Sequence, residues 1–413
     1  MPFLRWSFLL FVISVLVSQS AMDFFSILVC GSWAWLVWKS HKQGEKRPLF
    51  RKIGLEKLWA VWILIVIVGF LLHPDEPRFA LSRVIEFKWI GIFYVLIEVF
   101  NLMKPSKRSL NFLIGLVFFG GFTNLALFLA DFPFMQPFRY DSKPGGFLRA
   151  GGFFVNPMTY AHLFVFFLCL LLGLFLMDQR NWPTRQRLLA VLTILVSSVG
   201  FYLTYTRGIL IGFVMSLILG LLLWRPKYAA LCMVIFVSIT WGLYKNSAVF
   251  QWRVDKTLEE MQGESERKLL WKTHLLIFEE NPIFGLGYGQ NTRQLPQYYD
   301  RLGVPKSTLV GHAHNEYLHL AAGTGILGLI AYLTLWWFMV LQAWRLYRSP
   351  LVESWDRGVA FGVLLGEGAF LIGGLTEANF EHSKVRFAVM LIWAYTIYLA
   401  QKYSLLGWKI AAK

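Results

Sequence analysis

The chain has 413 residues, of which 56% are hydrophobic and only 15% charged, with a mean hydropathy of +0.52. Soluble domains carry about 25% charged residues, so the composition excludes a soluble globular enzyme and points to a polytopic membrane protein. The net charge of +16 is then expected largely in cytoplasmic loops, and nucleic acid is not the expected partner.

Apolar runs long enough to cross a bilayer lie at 4–20, 22–39, 56–73, 84–102, 109–130, 156–177, 188–205, 208–224, 228–244, 316–341, 358–375 and 387–403. The expected fold class is all-α, a membrane protein of about twelve transmembrane helices. Residues 1–244 hold the first nine, 245–315 form one large helical loop on the outer face, and 316–413 hold the last three. The first run follows Arg5 and ends in Ser18-Gln19-Ser20-Ala21, as a signal peptide does. A second run follows almost at once, which favours a first spanning helix, with a turn around Met22-Asp23. Cys30, Cys169 and Cys232 all fall inside apolar runs and read as small buried hydrophobes.

Orientation follows from Lys and Arg in short loops. With the N-terminus inside, the segments 39–55, 103–108, 178–187, 225–227, 342–357 and the tail after 403 are cytoplasmic, and each is basic. The outer segments nevertheless keep Arg78, Arg83, Arg139, Arg149, Arg207, Arg253, Arg267 and Arg386. Positive charge outside opposes the insertion bias. Pairing with outer carboxylates such as Asp75 or Glu377 would explain it; an anionic ligand, phosphate first, explains it better.

Within this frame, Arg149 precedes Gly151-Gly152 and leads to Asn156-Pro157, a helix cap followed by a first-turn proline. Thr204-Tyr205-Thr206-Arg207-Gly208 joins two spans so tightly that Arg207 lies at the membrane edge, where an ionisable residue is a functional candidate. Residues 265–278 read as an amphipathic helix, with Leu269, Leu270, Thr273, Leu276 and Ile277 on one stripe and Arg267 in the first turn. Asn281-Pro282 stops it, and Gly285-Leu286-Gly287-Tyr288-Gly289 forms a tight turn. His312-Ala313-His314-Asn315-Glu316-Tyr317-Leu318-His319 follows, with Asn315 as cap. A helix N-terminus disfavours imidazolium, so His314 is expected as a neutral ring able to accept a proton. A metal held by His312, His314, His319 and Glu316 is the rival, but His-x-His-x4-His is not a usual zinc spacing, and no metal is expected. Gly323-Thr324-Gly325-Ile326-Leu327-Gly328 reads as a helix start with small residues. Glu377-Ala378-Asn379-Phe380-Glu381-His382 offers polar groups to the same face.

These pieces resemble, in order, the O-antigen ligase and O-antigen polymerase superfamily of bacterial envelope glycosyltransferases. The matching residues are Phe154 to Pro157, Thr206-Arg207-Gly208, Arg267 with Trp271, Asn281 to Gly287, and His314-Asn315-Glu316-Tyr317-Leu318 with Gly325 to Gly328. The resemblance implies a GT-C-like fold in the bacterial inner membrane with its site on the periplasmic face. It implies an undecaprenyl-diphosphate-linked glycan as donor and no metal or other cofactor. For the ligase branch it implies lipid A-core as acceptor. By analogy Arg207 and Arg267 hold the diphosphate and His314 acts on the acceptor. Arg83 and Lys88 resemble basic positions of that branch. Arg149, Asn156, His312, Asn315 and Tyr317 are further substrate-binding candidates. Other readings are the polymerase, a protein O-oligosaccharyltransferase and a transporter of an anionic lipid. The last would want charge near the bilayer midplane, where only Glu98 and Glu367 stand out.

Overall fold

The computed structural model describes residues 1–45, 49–73, 87–130, 139–141, 148–154, 156–262, 266–303 and 311–408. Helices α1 (Pro2–Val17), α2 (Gln19–Lys42), α3 (Glu56–Leu72), α4 (Lys88–Met103) and α5 (Leu110–Leu129) come first. A hairpin of β1 (Arg139–Asp141) and β2 (Leu148–Ala150) follows, antiparallel with Tyr140 opposite Arg149. Next are α6 (Pro157–Asp178), α7 (Thr184–Tyr202), α8 (Arg207–Trp224) and α9 (Pro226–Asn246). The outer insertion folds as α10 (Ala248–Gln262), α11 (Glu266–Glu280) and α12 (Asn291–Arg301). The chain closes with α13 (Glu316–Arg348), α14 (Ser354–Gly373) and α15 (Ser383–Lys402).

A helix stands on each of the twelve apolar runs. Among the described residues, 7 helices (α2, α5, α6, α8, α9, α13 and α15) are long and apolar enough to cross a membrane by length and composition, and α1 is a shorter apolar helix. The protein is an all-α, multi-pass membrane protein, and the hairpin of two three-residue strands is its one departure from the all-helical expectation among the described residues. The first turn also differs from its expected place. It falls at Ser18, whose extended backbone and hydroxyl, accepting the Ala21 N–H at 3.5 Å, end α1 and cap α2. Asp23 is therefore helical.

The bundle is built around α6, whose faces are apolar all round and almost wholly buried. It packs along α14 through small residues: a Cβ on Gly173 would lie 2.3 Å from the Gly362 nitrogen, so only glycine permits that approach. α8 lies on the other side of α14, and Trp336 of α13 stacks on Phe370 of α14 at 5.0 Å. Following the alternation of direction, the starts of α6, α8, α13 and α15 and the ends of α7 and α14 meet at one end of the bundle.

α13 is not one regular helix. It begins at Glu316 after the Asn315 cap, as expected, but at the glycine-rich stretch it breaks instead of starting: Gly325 has φ 63 and ψ −171. Only glycine adopts that conformation readily. The backbone groups freed by the break are met by the loop after α11. Leu286 and Gly287 donate to the carbonyls of Ala322 and Gly323 at 2.9 and 3.0 Å, and Ile326 donates to Pro282 at 2.8 Å. A Cβ on Gly325 would lie 2.2 Å from the Ile283 carbonyl. The Asn281–Gly287 segment thus serves as the missing turn of a broken span. Non-helical backbone at such depth is tolerated only when protein satisfies it.

Candidate active site

The end of the bundle where α6, α8, α13 and α15 begin gathers the chemistry. Asn315 caps α13 as expected, accepting the Leu318 N–H at 3.0 Å, and its amide donates to the Leu375 carbonyl at 3.2 Å. His314, just before the cap, has a left-handed backbone with φ 48, uncommon for a residue with a Cβ. That conformation turns its ring toward the segment between α14 and α15. There its Nδ1 lies 3.0 and 3.1 Å from the two oxygens of Glu377. Glu377 is buried, 3% exposed, and His312 Nε2 reaches it at 3.1 Å.

The hydrogen bonds assign the tautomers. The His314 amide donates to His312 Nδ1 at 3.2 Å, so His312 carries its proton on Nε2 and donates to Glu377. His314 carries its proton on Nδ1, which also faces Glu377, and its Nε2 keeps a lone pair with no hydrogen bond among the described residues. This is the carboxylate–imidazole arrangement that orients a general base. Burial alone pushes the Glu377 carboxyl up, but the His314 hydrogen bond and the neighbouring imidazoles outweigh it and hold it at about 2. Burial pushes His312 down to about 4 against the pull of Glu377, so His312 serves as a neutral donor.

Ligand atoms of His312, His314 and Glu377 lie within 4.8 Å of one another, close enough to share a cation. A cation on His312 Nε2 would force the ring's proton onto Nδ1, against the His314 amide that Nδ1 now accepts. The trio fits a hydrogen-bonded dyad with a supporting donor better than a metal centre.

Of the two arginines, Arg207 lies on a turn packed beside Glu377, and Arg267 lies further off on α11. Arg207 opens α8, next to Gly208, which packs against Thr376, the residue before Glu377. Its guanidinium donates to the Thr257 hydroxyl on α10. The turn before it is held by Arg149, 7% exposed, which donates from Nε to the Thr204 carbonyl at 2.9 Å and from Nη2 to the Thr206 hydroxyl at 3.0 Å. Arg149 thus shapes the Arg207 turn. Arg267 is half-buried on the second residue of α11, with no hydrogen bond or ion pair to another described residue. It shares the stripe of Leu270, His274 and Ile277 that packs on α13, about 10 Å along the helix from His274. The His274 ring lies 5.6 Å from that of His319.

The other sequence candidates have structural partners. Asn156 caps α6 through the Met158 N–H at 2.8 Å. The Tyr317 hydroxyl donates to the Leu371 carbonyl and ties α13 to α14. Lys88 pairs with Asp23 at 2.9 Å. Arg83 lies outside the described residues. His319 sits behind the dyad, its Nδ1 3.0 Å from the Asn291 amide and its Nε2 3.0 Å from Glu381.

Sequence reasoning understated three residues. Glu377 was legible only as a polar group on the right face, because its partner is 63 positions earlier. His162, in the first turns of α6, sits 3.0 Å from the Asn379 amide; an ionisable residue in an apolar run was the available signal. Glu316 accepts the Phe380 N–H at 3.0 Å, while its own N–H donates to Gly374 at 2.7 Å, which fixes the Glu377 segment to the start of α13.

No curated protein matches the chain. Residues 191–333 match a family model described as O-Antigen ligase. That stretch contains Arg207, Arg267 and His314 together, and its match agrees with the resemblance of the sequence to the O-antigen ligase and polymerase superfamily.

Proposed function

We propose that the protein is an O-antigen ligase, an inverting glycosyltransferase that moves a glycan from undecaprenyl diphosphate to a sugar hydroxyl of lipid A-core at the periplasmic face of the bacterial inner membrane. The observation that carries this reading is the His314–Glu377 pair, which leaves His314 Nε2 as an oriented proton acceptor. The acceptor O–H gives its proton to Nε2 as its oxygen attacks the anomeric carbon. The bond from that carbon to the phosphate oxygen breaks, and its electron pair leaves with the diphosphate. Glu377 stabilises the imidazolium that forms. Arg207 and Arg267 offer permanent positive charge to the departing diphosphate, the task for which other glycosyltransferases recruit a divalent cation. One in-line displacement inverts the anomeric carbon.

A lipid-linked donor suits the placement of Arg207 at the outer edge of a span, where the polyprenyl chain stays in lipid while its phosphates meet the guanidinium. The polymerase of the same superfamily would use the same residues. In a strain lacking this protein, loss of ligation leaves lipid-linked polymer, whereas loss of polymerisation leaves core capped with single units. The direct test is transfer from a purified polyprenyl-diphosphate donor to a defined acceptor in detergent with EDTA present. Full activity is expected for the wild type and at least a thousandfold less for His314→Ala. A folded His314→Ala protein with unchanged turnover would sink the base assignment, and loss of wild-type activity in EDTA would sink the metal-free scheme.

A further inference from the structure

A second site lies at the opposite end of the bundle. Val359 lies fourteen residues before Gly373 on α14, about 21 Å along the helix from the histidine end. There α1, α4, α5, α6, α14 and α15 converge on a groove of about 460 Å³. Its walls are apolar, with Phe8, Leu113, Leu170 and Ile392 among them, and it reaches into the body of the bundle. Its charged lining is Arg5 from α1 and Lys104 from the end of α4, with no acidic residue among the described residues. Both side chains are exposed, and neither makes an ion pair or side-chain hydrogen bond with another described residue. Lys104 is held in the left-handed region at φ 46, where its amide closes α4 by donating to the Phe100 carbonyl at 2.8 Å. The Ser106 and Ser109 side chains complete the rim.

We infer that this groove is a binding site for one anionic glycerophospholipid, with an acyl chain among the apolar walls and the phosphate at Arg5 and Lys104. The ligand must be apolar along its length and anionic at one end, which is the chemistry of such a lipid. The basic-loop pattern puts this end of the bundle on the cytoplasmic side, where basic rims meet anionic headgroups. The inference does not depend on the glycosyl-transfer reading, because none of its residues takes part in that chemistry.

Native mass spectrometry of the full chain, released from detergent after titration with phosphatidylglycerol or phosphatidylcholine, tests it. Wild type should keep one phosphatidylglycerol per chain at activation energies that strip phosphatidylcholine, with at least tenfold greater retention. Arg5→Gln with Lys104→Gln, both exposed and neutral to folding, should bring the two lipids to equal retention. Leu113→Trp, which fills the groove, should lower both. Equal retention of the two lipids by the wild type would overturn the inference. So would undiminished phosphatidylglycerol in the double variant, or a polyprenyl phosphate as the co-purifying lipid.

Discussion

Both ends of the bundle bury carboxylates, but they treat them differently. At the lipid-groove end, Asp178 accepts from Asn181 at 2.6 Å, from the Trp182 indole at 2.9 Å and from the Ser354 hydroxyl. Asp356 accepts from Lys402 and from the Tyr403 hydroxyl, both at 2.7 Å. These donors come from the turn after Asp178 and from neighbouring helices, and they make the carboxylates into ties. At the histidine end, Glu377 meets imidazoles instead, and Glu316 Oε1, His162 Nε2 and His274 Nε2 have no hydrogen-bond partner among the described residues. Such under-satisfied buried groups cost stability. Trp355 Nε1, Arg345 Nε and Arg357 Nε at the groove end also lack a partner among the described residues, so the contrast lies in what the carboxylates meet: indole, hydroxyl and ammonium donors that tie the fold at one end, imidazoles that can exchange protons at the other.

The strongest way to break this contrast is His314→Ala, expected to cut turnover at least a thousandfold, about 4 kcal/mol of barrier, with the melting temperature hardly changed. A mutant that melts early instead would make His314 a tie. Next is Gly325→Ala, which places a Cβ against the Ile283 carbonyl in a backbone region reserved for glycine. It should cost about 3 kcal/mol of stability, read by thermal unfolding in detergent.

A paired experiment sharpens the comparison directly. Glu377→Gln should lower kcat by about a hundredfold, because the amide no longer fixes the imidazole tautomer or stabilises its charge. Asp178→Asn should leave kcat alone and lower stability by about 2 kcal/mol. If the two variants behaved alike, the distinction between acting and tying carboxylates would fail.

Acid stability gives a fourth test. Burial pushes His274 down to about 3, and His312 down to about 4, below the value near 6.5 that an unfolded histidine has. The unfolded chain therefore binds more protons below about pH 6.5. Stability is full above that pH and falls as pH drops toward about 4. His274→Leu should flatten that fall by about 2 kcal/mol at pH 5. An unchanged acid limb in melting curves would remove His274 from the account. The smallest effect is expected from Lys88→Ala. Its pair with Asp23 is largely exposed, so the loss should stay below about 0.5 kcal/mol. A large fall in transfer activity would return Lys88 to the substrate site.

Much of this was legible in the sequence, for reasons of length and period. A span needs an unbroken apolar run, so all twelve helices could be placed from hydropathy. Asn156-Pro157 and Asn315 announced their caps because capping is local. What escaped depends on distance or on local competition. Ser18 ends α1 where hydropathy runs on to Ala21, because its hydroxyl offers α2 a cap. Gly325 was visible as a glycine but not as a break, since apolar residues continue on both sides and the partner strand of loop lies some forty residues upstream. The hairpin strands of three residues each are too short to show a two-residue period. Glu377 could be found only through the fold that brings it to His314.

The break in α13 has a consequence for biogenesis. The residues that complete this helix precede it in the chain. The ribosome can finish α13 and the membrane can accept its inner half while the outer half still lacks its docking partner. The first half of α13, which His314 precedes, gains these backbone bonds only after the 282–287 loop has folded back. The docking of the loop can be timed by when the Gly325 junction first resists protease.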